Sequence, residues 1–532
     1  MNHHYSTRRA LVILTLAVLT LASAGAANIP LPTAEATSSI TVRDLKRHLS
    51  FLASEELGGR YTFSHSNLIA ARYLASQLES YGYRGAGGNG SFFQQVPLSY
   101  RNVDLAASRL TLNDGETKRE FMYPDGFIAE VPTNIGLSGQ LVFVGYGVSS
   151  PRNSYDDYAG LKVKGKIVVM SSGVPEQLKK VRLNNDEQEA SAALAHGAVG
   201  LIKILDAQTL LTWDQLKIWY GGRQQLGLPP RTTASGKVLP EITASPELIK
   251  AIARAMGKES SELISPGSKL KPAELATTAE IKLRVEAKDA TSAQNVVGIL
   301  EGSDSKLKDE YVVFSAHYDH LKSTDKGEVY RGADDDGSGT VSVLEIAQAF
   351  AVGPPPKRSI LIVFHTGEEL GLFGSEYNTD YEPVVPLDKL VANLNIDMVG
   401  RSRPDGDDDP RDARLTDKDS IYIIGADKLS TELHKLNEET NQNTARMRFD
   451  YTYNDDRHPE RFYYRSDHYN YAKHGIPVIF FFTGVHRDYH QLTDVVDKID
   501  FEKMERIDRL IFSTGWRIAN LDHRLVVDKI SQ

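Results

Sequence analysis

Two spacings of apolar residues alternate along the chain. Between Thr41 and Tyr83 the spacing is helical. In TVRDLKRHLSFLA the apolar residues Val42, Leu45, Leu49 and Leu52 recur every three or four positions, which gathers them on one helix face. A second helix is expected over NLIAARYLASQLESYGY, ending at Tyr81-Gly82, and GAGGNG from Gly85 to Gly90 reads as a loop. From about Arg101 to Val285 the pattern changes to short β-type runs such as QLVFVGYGV and GKIVVMSSG, with EASAALAHGAVGLIKIL reading as a helix, a glycine turn and a strand. From Asn295 onward the apolar runs NVVGILEG, EYVVFSAH, RSILIVFHTG, VANLNIDMV, SIYIIGA and IPVIFFFTG are continuous rather than alternating, as strands buried on both faces of a mostly parallel sheet require. GSGTVSVLEIAQAF supplies a covering helix, with Val341, Leu344, Ala347 and Gln348 a turn apart and Val343, Ile346 and Phe350 widening its apolar face. The expected fold is therefore α/β: a mixed, mostly parallel central sheet with helices on both faces, interrupted by an inserted β-rich domain.

Length and composition narrow the function. A chain of 532 residues is too long for one ordinary core. A hydrophobic content of 41% and a charged content of 25% are those of a globular protein. The net charge of −9 gives no sign of a nucleic-acid-binding surface. The chain has no cysteine, which excludes disulfides, thiolate metal sites, a cysteine nucleophile and a lipid anchor on an N-terminal cysteine. Arg8 and Arg9 precede the apolar run ALVILTLAVLTLA, and the small residues of ASAGAA follow, with cleavage expected after Ala24, Ala26 or Ala27. That run is shorter than the roughly 20 residues a membrane span needs and suits a signal peptide. The expectation is an exported protein, periplasmic or secreted, with no membrane association after cleavage. The acidic stretch PDGDDDPRD, Pro404 to Asp412, lacks the terminal glutamate of a calcium loop and reads as a solvated loop.

In open α/β sheets, ligands bind beyond the carboxyl ends of the strands. Just past EYVVFSA come His317, Asp319 and His320, and GADDDGSG then supplies Asp334, Asp335 and Asp336. Glu368 and Glu369 follow SILIVFHTG, Asp397 ends NLNID, and the loop after IPVIFFFTG carries His486, Asp488, Tyr489 and His490. One acid on one loop is ordinarily just solvated. Five segments delivering carboxylates and imidazoles to one sheet edge would repel one another without cations between them. Nitrogen and oxygen donors without sulfur suit zinc, with cobalt and manganese also compatible. There is no helical HExxH site, since HRDYH has arginine where the glutamate should be, and no GxSxG serine elbow.

The motifs SAHYDH, GADDDGSG, HTGEELGLFGS, NLNIDM and RDYHQLTD, in that order, resemble metallopeptidase family twenty-eight, the co-catalytic dizinc exopeptidases that include secreted aminopeptidases and glutamate carboxypeptidase. The segment GYGVSSPRNSYDDYAGLKVKGKIVVM resembles a protease-associated domain, a frequent insertion in that family. The resemblance implies a signal peptide at 1–27, peptidase-domain segments at 28–115 and 286–532, and an inserted protease-associated domain at 116–285. It also implies two zinc ions and a peptide substrate. His317 and Asp397 would hold one ion, Glu369 and His490 the other, and Asp335 would bridge them. Glu368 would be the general base and later acid, Asp319 would orient His317, and Tyr489 would steady the oxyanion. His320, His365 and His486 read as structural histidines, and Arg465, Ser466, Asp467 and His468 as pocket-lining or structural. The family implies an aminopeptidase first. A carboxypeptidase, with Arg465 or Arg487 binding the substrate carboxylate, and a non-enzymatic receptor on the same scaffold are the alternatives.

Overall fold

The computed structural model describes residues 29 and 31–529, apart from 180, 182, 184–186, 211, 231–237, 266–269, 291–292 and 456–457. The expected signal peptide lies outside the described residues. The described residues divide into two compact units, 29–94 with 294–529, and 95–293.

The first unit is built on a nine-stranded mixed sheet. The strands of its main path are β1 (Arg84–Gly85), β2 (Ala293–Leu300), β3 (Tyr311–His317), β4 (Ser359–His365), β5 (Leu390–Ile396), β6 (Ser420–Ile424), β7 (Arg448–Asp450) and β8 (Val478–Phe482). Their spatial order is β1-β2-β4-β3-β5-β8-β6-β7. The central four, β4-β3-β5-β8, are mutually parallel, with Phe314 facing Ile362 on one side and Leu394 on the other. The pairs β1/β2, β2/β4 and β6/β8 are antiparallel.

The continuous apolar runs are explained by burial on both faces. Within β3, Val312, Phe314 and Ala316 enter one core and Val313 the other; within β8, Ile479 and Phe481 enter the first, and Val478, Phe480 and Phe482 the second. The first core is covered by α1 (Ala34–Ser39), α2 (Val42–Leu52), α3 (His65–Ser80), α4 (Gly339–Val352), α5 (Thr431–Asn443) and α6 (Phe501–Asn520). The helices start where their caps dictate: the hydroxyl of Thr41 accepts from Asp44 N at 3.1 Å, and that of Ser64 from Asn67 N at 3.1 Å. α4 is buried almost all round, so its apolar face is wider than the single stripe its sequence spacing suggests. Among the described residues no helix is long and apolar enough to cross a membrane.

The second unit contains an eight-stranded sheet with its own apolar cores, around Phe143, Val169 and Ile202 on one side and Val142, Val168 and Leu201 on the other. The glycine turn in EASAALAHGAVGLIKIL is Gly197 at φ +81°, between a helix at Glu189–Ala195 and a strand at Gly200–Ile204. Buried Asp157 pins one loop of this unit by accepting from Tyr146 N, Val148 N and the Tyr155 hydroxyl.

Candidate metal centre

The carboxyl ends of the four central strands all open on the same edge. His317 is the last residue of β3, Asp397 follows β5, Glu368 and Glu369 follow β4, and His490 lies on the loop after β8. Asp335 comes from the tight turn that leads into α4. The structure brings these six side chains together. His317 Nε2 lies 3.3 Å from Asp335 Oδ1, 3.7 Å from Asp397 Oδ1 and 3.8 Å from Glu368 Oε2. His490 Nε2 lies 3.0 Å from the other Asp335 oxygen, Oδ2, and 3.1 Å from Glu369 Oε2. Asp335 therefore turns one oxygen to each imidazole, between two clusters.

These spacings fit bound cations. Donors about 2.1 Å from a tetrahedral ion stand roughly 3.4 Å from one another, close to the separations found. Among the described residues, buried Asp335 Oδ2, Glu369 Oε1 and His490 Nε2 make only close contacts of 2.7–3.1 Å with the neighbouring imidazoles and carboxylates and no well-directed hydrogen bond, although buried polar atoms are normally paired. The charges point the same way. Burial would pull the His317 imidazole down, but Glu368, Asp319, Asp335 and Asp397 hold it well above its ordinary value. His490 is likewise lifted to about 10, as contacts with Asp335 and Glu369 overcome burial. Burial pushes Asp335 up, and His317 and His490 hold it well below the usual carboxylate range instead. Such an excess of clustered acids calls for positive charge, which divalent ions supply better than protons.

Glu368 differs from its neighbour. Burial raises its carboxyl; His317 opposes this, while Asp397, Glu369 and Asp467 add to it. Glu369 is pushed up by burial and Asp335, yet His320 and His490 hold it below its ordinary value. Two adjacent glutamates are thus separated in proton affinity, one kept able to carry a proton and the other kept ionised. Asp319 supports both sides of the site: its Oδ1 accepts from Glu368 N at 3.2 Å and stands 3.6 Å from His317 Nδ1, while Thr62 donates to Oδ2 at 2.9 Å. Tyr489 stacks on His490 with ring centroids 3.8 Å apart. Burial and the charges of Asp335 and Glu369 raise its hydroxyl, which keeps it a donor.

The flanking acids of the triplet are occupied elsewhere. Asp336 accepts from Gly339 N and Met398 N on Oδ1 and from His317 N on Oδ2. Although it lies in a donor group with His317 and Asp397, its oxygens are committed to backbone. Asp334 accepts from Gly400 N and pairs with His486, which agrees with the structural reading of His486. His365 meets Tyr471 and is also structural. His320 is different: its Nδ1 lies 2.7 Å from Glu369 Oε1, beside the second cluster rather than away from it. Ser466 donates to Asp397 Oδ2 at 2.6 Å. Met398 and His490 adopt left-handed φ values of +56° and +57°. For residues with a Cβ this costs roughly 1–2 kcal/mol each, a strain typical of functional sites.

Two sequence expectations are corrected here. Arg487 is not available to a substrate, because Asp407, Asp409 and Asp412 surround its guanidinium. For the same reason the acidic stretch is not simply solvated; it is the clamp that holds Arg487. Arg465 remains at the site and lines a cavity of about 40 Å³ with Met398, Phe462, Phe480, Phe482 and Tyr489. Arg60 carries no motif and was not expected at all. Fully buried, it donates to the carbonyls of Leu52, Tyr318, Arg331 and Gly332, fixing the backbone on either side of the site.

An open α/β sheet with a cluster of imidazoles and carboxylates at the carboxyl ends of its parallel strands has the donor set and the placement that a metal site in an α/β fold requires. The sequence model of peptidase family M28 matches residues 295–514 of the chain. Aminopeptidase YwaD of Bacillus subtilis (strain 168) is 36% identical over 123 residues, 23% of this chain and 25% of that protein. A probable zinc metalloprotease of Pyrenophora teres f. teres is 29% identical over 237 residues, 42% of this chain and 48% of that protein. The chain thus spans about a quarter to a half of the length of these curated relatives. Among solved structures, an aminopeptidase from Aneurinibacillus sp. strain AM-1 is 20% identical, with a TM-score of 0.44, covering 93% of this chain and 98% of that one.

Proposed function

We propose that the protein is a zinc-dependent aminopeptidase that removes the first residue of peptides at a site holding two metal ions. The observation that carries this reading is the position of Asp335, whose two oxygens face His317 and His490 separately. In this reading His317 and Asp397 would hold one ion and Glu369 and His490 the other, with Asp335 shared between them. Zinc held there would supply Lewis acidity toward the peptide carbonyl and bring the pKa of water from 15.7 down to roughly 7.

Glu368 is the proton carrier. Its side chain is 12% exposed and aimed at the cluster, and its raised proton affinity suits a group that accepts a proton from water and passes it to the leaving amine. Asp319 fixes His317 and the Glu368 backbone in their orientations. The Tyr489 hydroxyl donates toward negative charge developing on the carbonyl oxygen. Met398, Phe462, Phe480 and Phe482 exclude water beside the metals and receive the side chain of the first residue. No covalent intermediate on the protein is needed.

One observation favours a second reading. Arg465 lines the same cavity and shares Glu460 with Arg414, so a carboxypeptidase anchoring a free carboxylate on Arg465 is the rival. A panel of peptides with free and blocked amino termini decides between them: cleavage confined to free-amine peptides is expected, and cleavage confined to blocked peptides would overturn the aminopeptidase assignment. We propose further that the protein is exported through its N-terminal apolar run and that the second unit is a protease-associated domain. Amino-terminal sequencing of protein from the extracytoplasmic fraction should begin after Ala24, Ala26 or Ala27.

A further inference from the structure

The loop bearing His490 and the turn bearing Asp335 are far apart in sequence, yet their donors must stay within 3.0 Å of each other. The connection between them is Asp494. This residue is fully buried. Its carboxylate accepts from Asp334 N at 3.0 and 3.1 Å and from Asp335 N at 3.2 Å, and its carbonyl accepts from Ala333 N at 3.4 Å. Its own N–H donates to Gln491 O at 3.2 Å, closing the turn that starts beside His490. A second tie runs back the other way: Asp334 Oδ2 meets His486 Nε2 at 3.0 Å, and Asp334 Oδ1 accepts from Gly400 N at 2.7 Å, three residues past Asp397.

We infer that Asp494 is a positioning residue that sets the separation of the bridging carboxylate Asp335 from the imidazole of His490, and so the affinity of the cation those two share with Glu369. An ionised carboxylate can accept the backbone N–H groups of Asp334 and Asp335 together. Oδ2 accepts from both N–H groups and Oδ1 from Asp334 N alone, so an asparagine with its oxygen at the Oδ2 place turns its N–H₂ against Asp334 N, and in the flipped orientation it turns its N–H₂ against both, so that donor faces donor either way. The turn carrying Asp335 is then pushed off its anchor while the side chains of Asp335, Glu369 and His490 stay intact. Loss of such an outer hydrogen bond typically costs 10–100-fold in metal affinity.

The inference rests on the two-metal reading, and the test separates the two. Metal-stripped full-length wild type, Asp494→Asn and Asp488→Asn are titrated with Co²⁺, following heat and visible absorption, with circular dichroism as a check on folding. Asp488 is the control. It is buried on the same loop and pairs with Arg401, Lys498 and Thr493, but has no hydrogen bond to the turn of Asp335 among those of the described residues. Wild type is expected to take up two equivalents. Asp494→Asn should keep one near wild-type affinity and bind the other about 10–100-fold more weakly, while Asp488→Asn loses thermal stability but keeps both affinities. Two unchanged affinities in Asp494→Asn, or an equal weakening in Asp488→Asn, would overturn the positioning role alone. Wild type that takes up no metal would overturn the two-metal reading itself. If Asp494→Asn does not fold, Asp494→Glu retains the charge and both acceptors on a longer arm. It is expected to weaken the second equivalent by less than the full range, and wild-type affinity in that variant would likewise contradict the role.

Discussion

At the scale of single residues, the division of labour between Glu368 and Glu369 is the sharpest consequence of the geometry. Replacing Glu368 by Gln keeps the shape and removes the carboxylate proposed to carry the proton. The variant should retain wild-type metal content and lose roughly 10²–10⁴-fold in kcat; metal analysis beside steady-state kinetics measures both, and near-normal turnover would refute the assignment. Asp335→Ala is expected to weaken both proposed metal sites together, because one of its oxygens is turned to His317 and the other to His490, and loss of a single equivalent would contradict the bridge. His317, Glu369 and Asp397 were legible in the sequence because each sits at or just past the end of an apolar strand run, and Asp335 and His490 because they lie in the motifs GADDDGSG and RDYHQLTD. Arg60 and Asp494 were not legible, because their partners are backbone carbonyls and N–H groups, which leave no trace in residue identity. The sequence position of His320 marks it only as a structural histidine; the fold turns it to Glu369.

At the scale of elements, the start of α4 is where packing and chemistry meet. A Cβ on Gly339 would run into the Ile396 carbonyl and the Asp336 carboxylate, so the turn carrying Asp335 and the strand end carrying Asp397 close on each other only through glycine. Gly339→Ala should therefore cost about 1–3 kcal/mol by overpacking and lower metal affinity as well; a thermal melt and a metal titration report the two effects, and no change in either would contradict this packing.

α6 offers a separate test. Asp508 is fully buried, and burial, with Glu345 and Glu505 adding like charge, raises its carboxyl well above the ordinary value, against help from Ser342 and Arg509. The folded state then holds a proton that the unfolded state releases above about pH 3.9. The contribution of this group is present below that pH and is lost as pH rises toward the raised folded value. Asp508→Asn removes the ionisation, so it should melt higher than wild type at pH 8, by roughly 2–4 °C per kcal/mol recovered, with the gap closing toward pH 4. A wild type melting higher than the variant at pH 8 would refute this.

The strand and helix pattern was readable because burial on both faces of β3, β4, β5 and β8 leaves continuous apolar runs. The limits of the second unit were harder to read. The division falls at Gln95 and Ala293, wider than the expected 116–285, because strands at Ser99–Val103 and Arg109–Asn113 pair with Val285–Asp289 and Ala273–Leu283, and such long-range pairing has no local signature.

At the scale of the whole molecule, the first unit is a sheet whose central strands all end at one acidic, partly strained edge. A fold that gathers Asp335, Glu368, Glu369 and Asp397 in so small a space should depend on cations for part of its stability, since any ion that binds the native state alone raises the melting temperature by mass action. The most direct measurement is the metal content of the purified full-length protein, taken together with its cleavage of free-amine peptides before chelation, after chelation and after zinc is returned. The account predicts two metal equivalents per chain, activity abolished by the chelator and restored by zinc, and a lower melting temperature for the stripped protein. Protein that carries no metal, takes up none on addition and hydrolyses no peptide would contradict it.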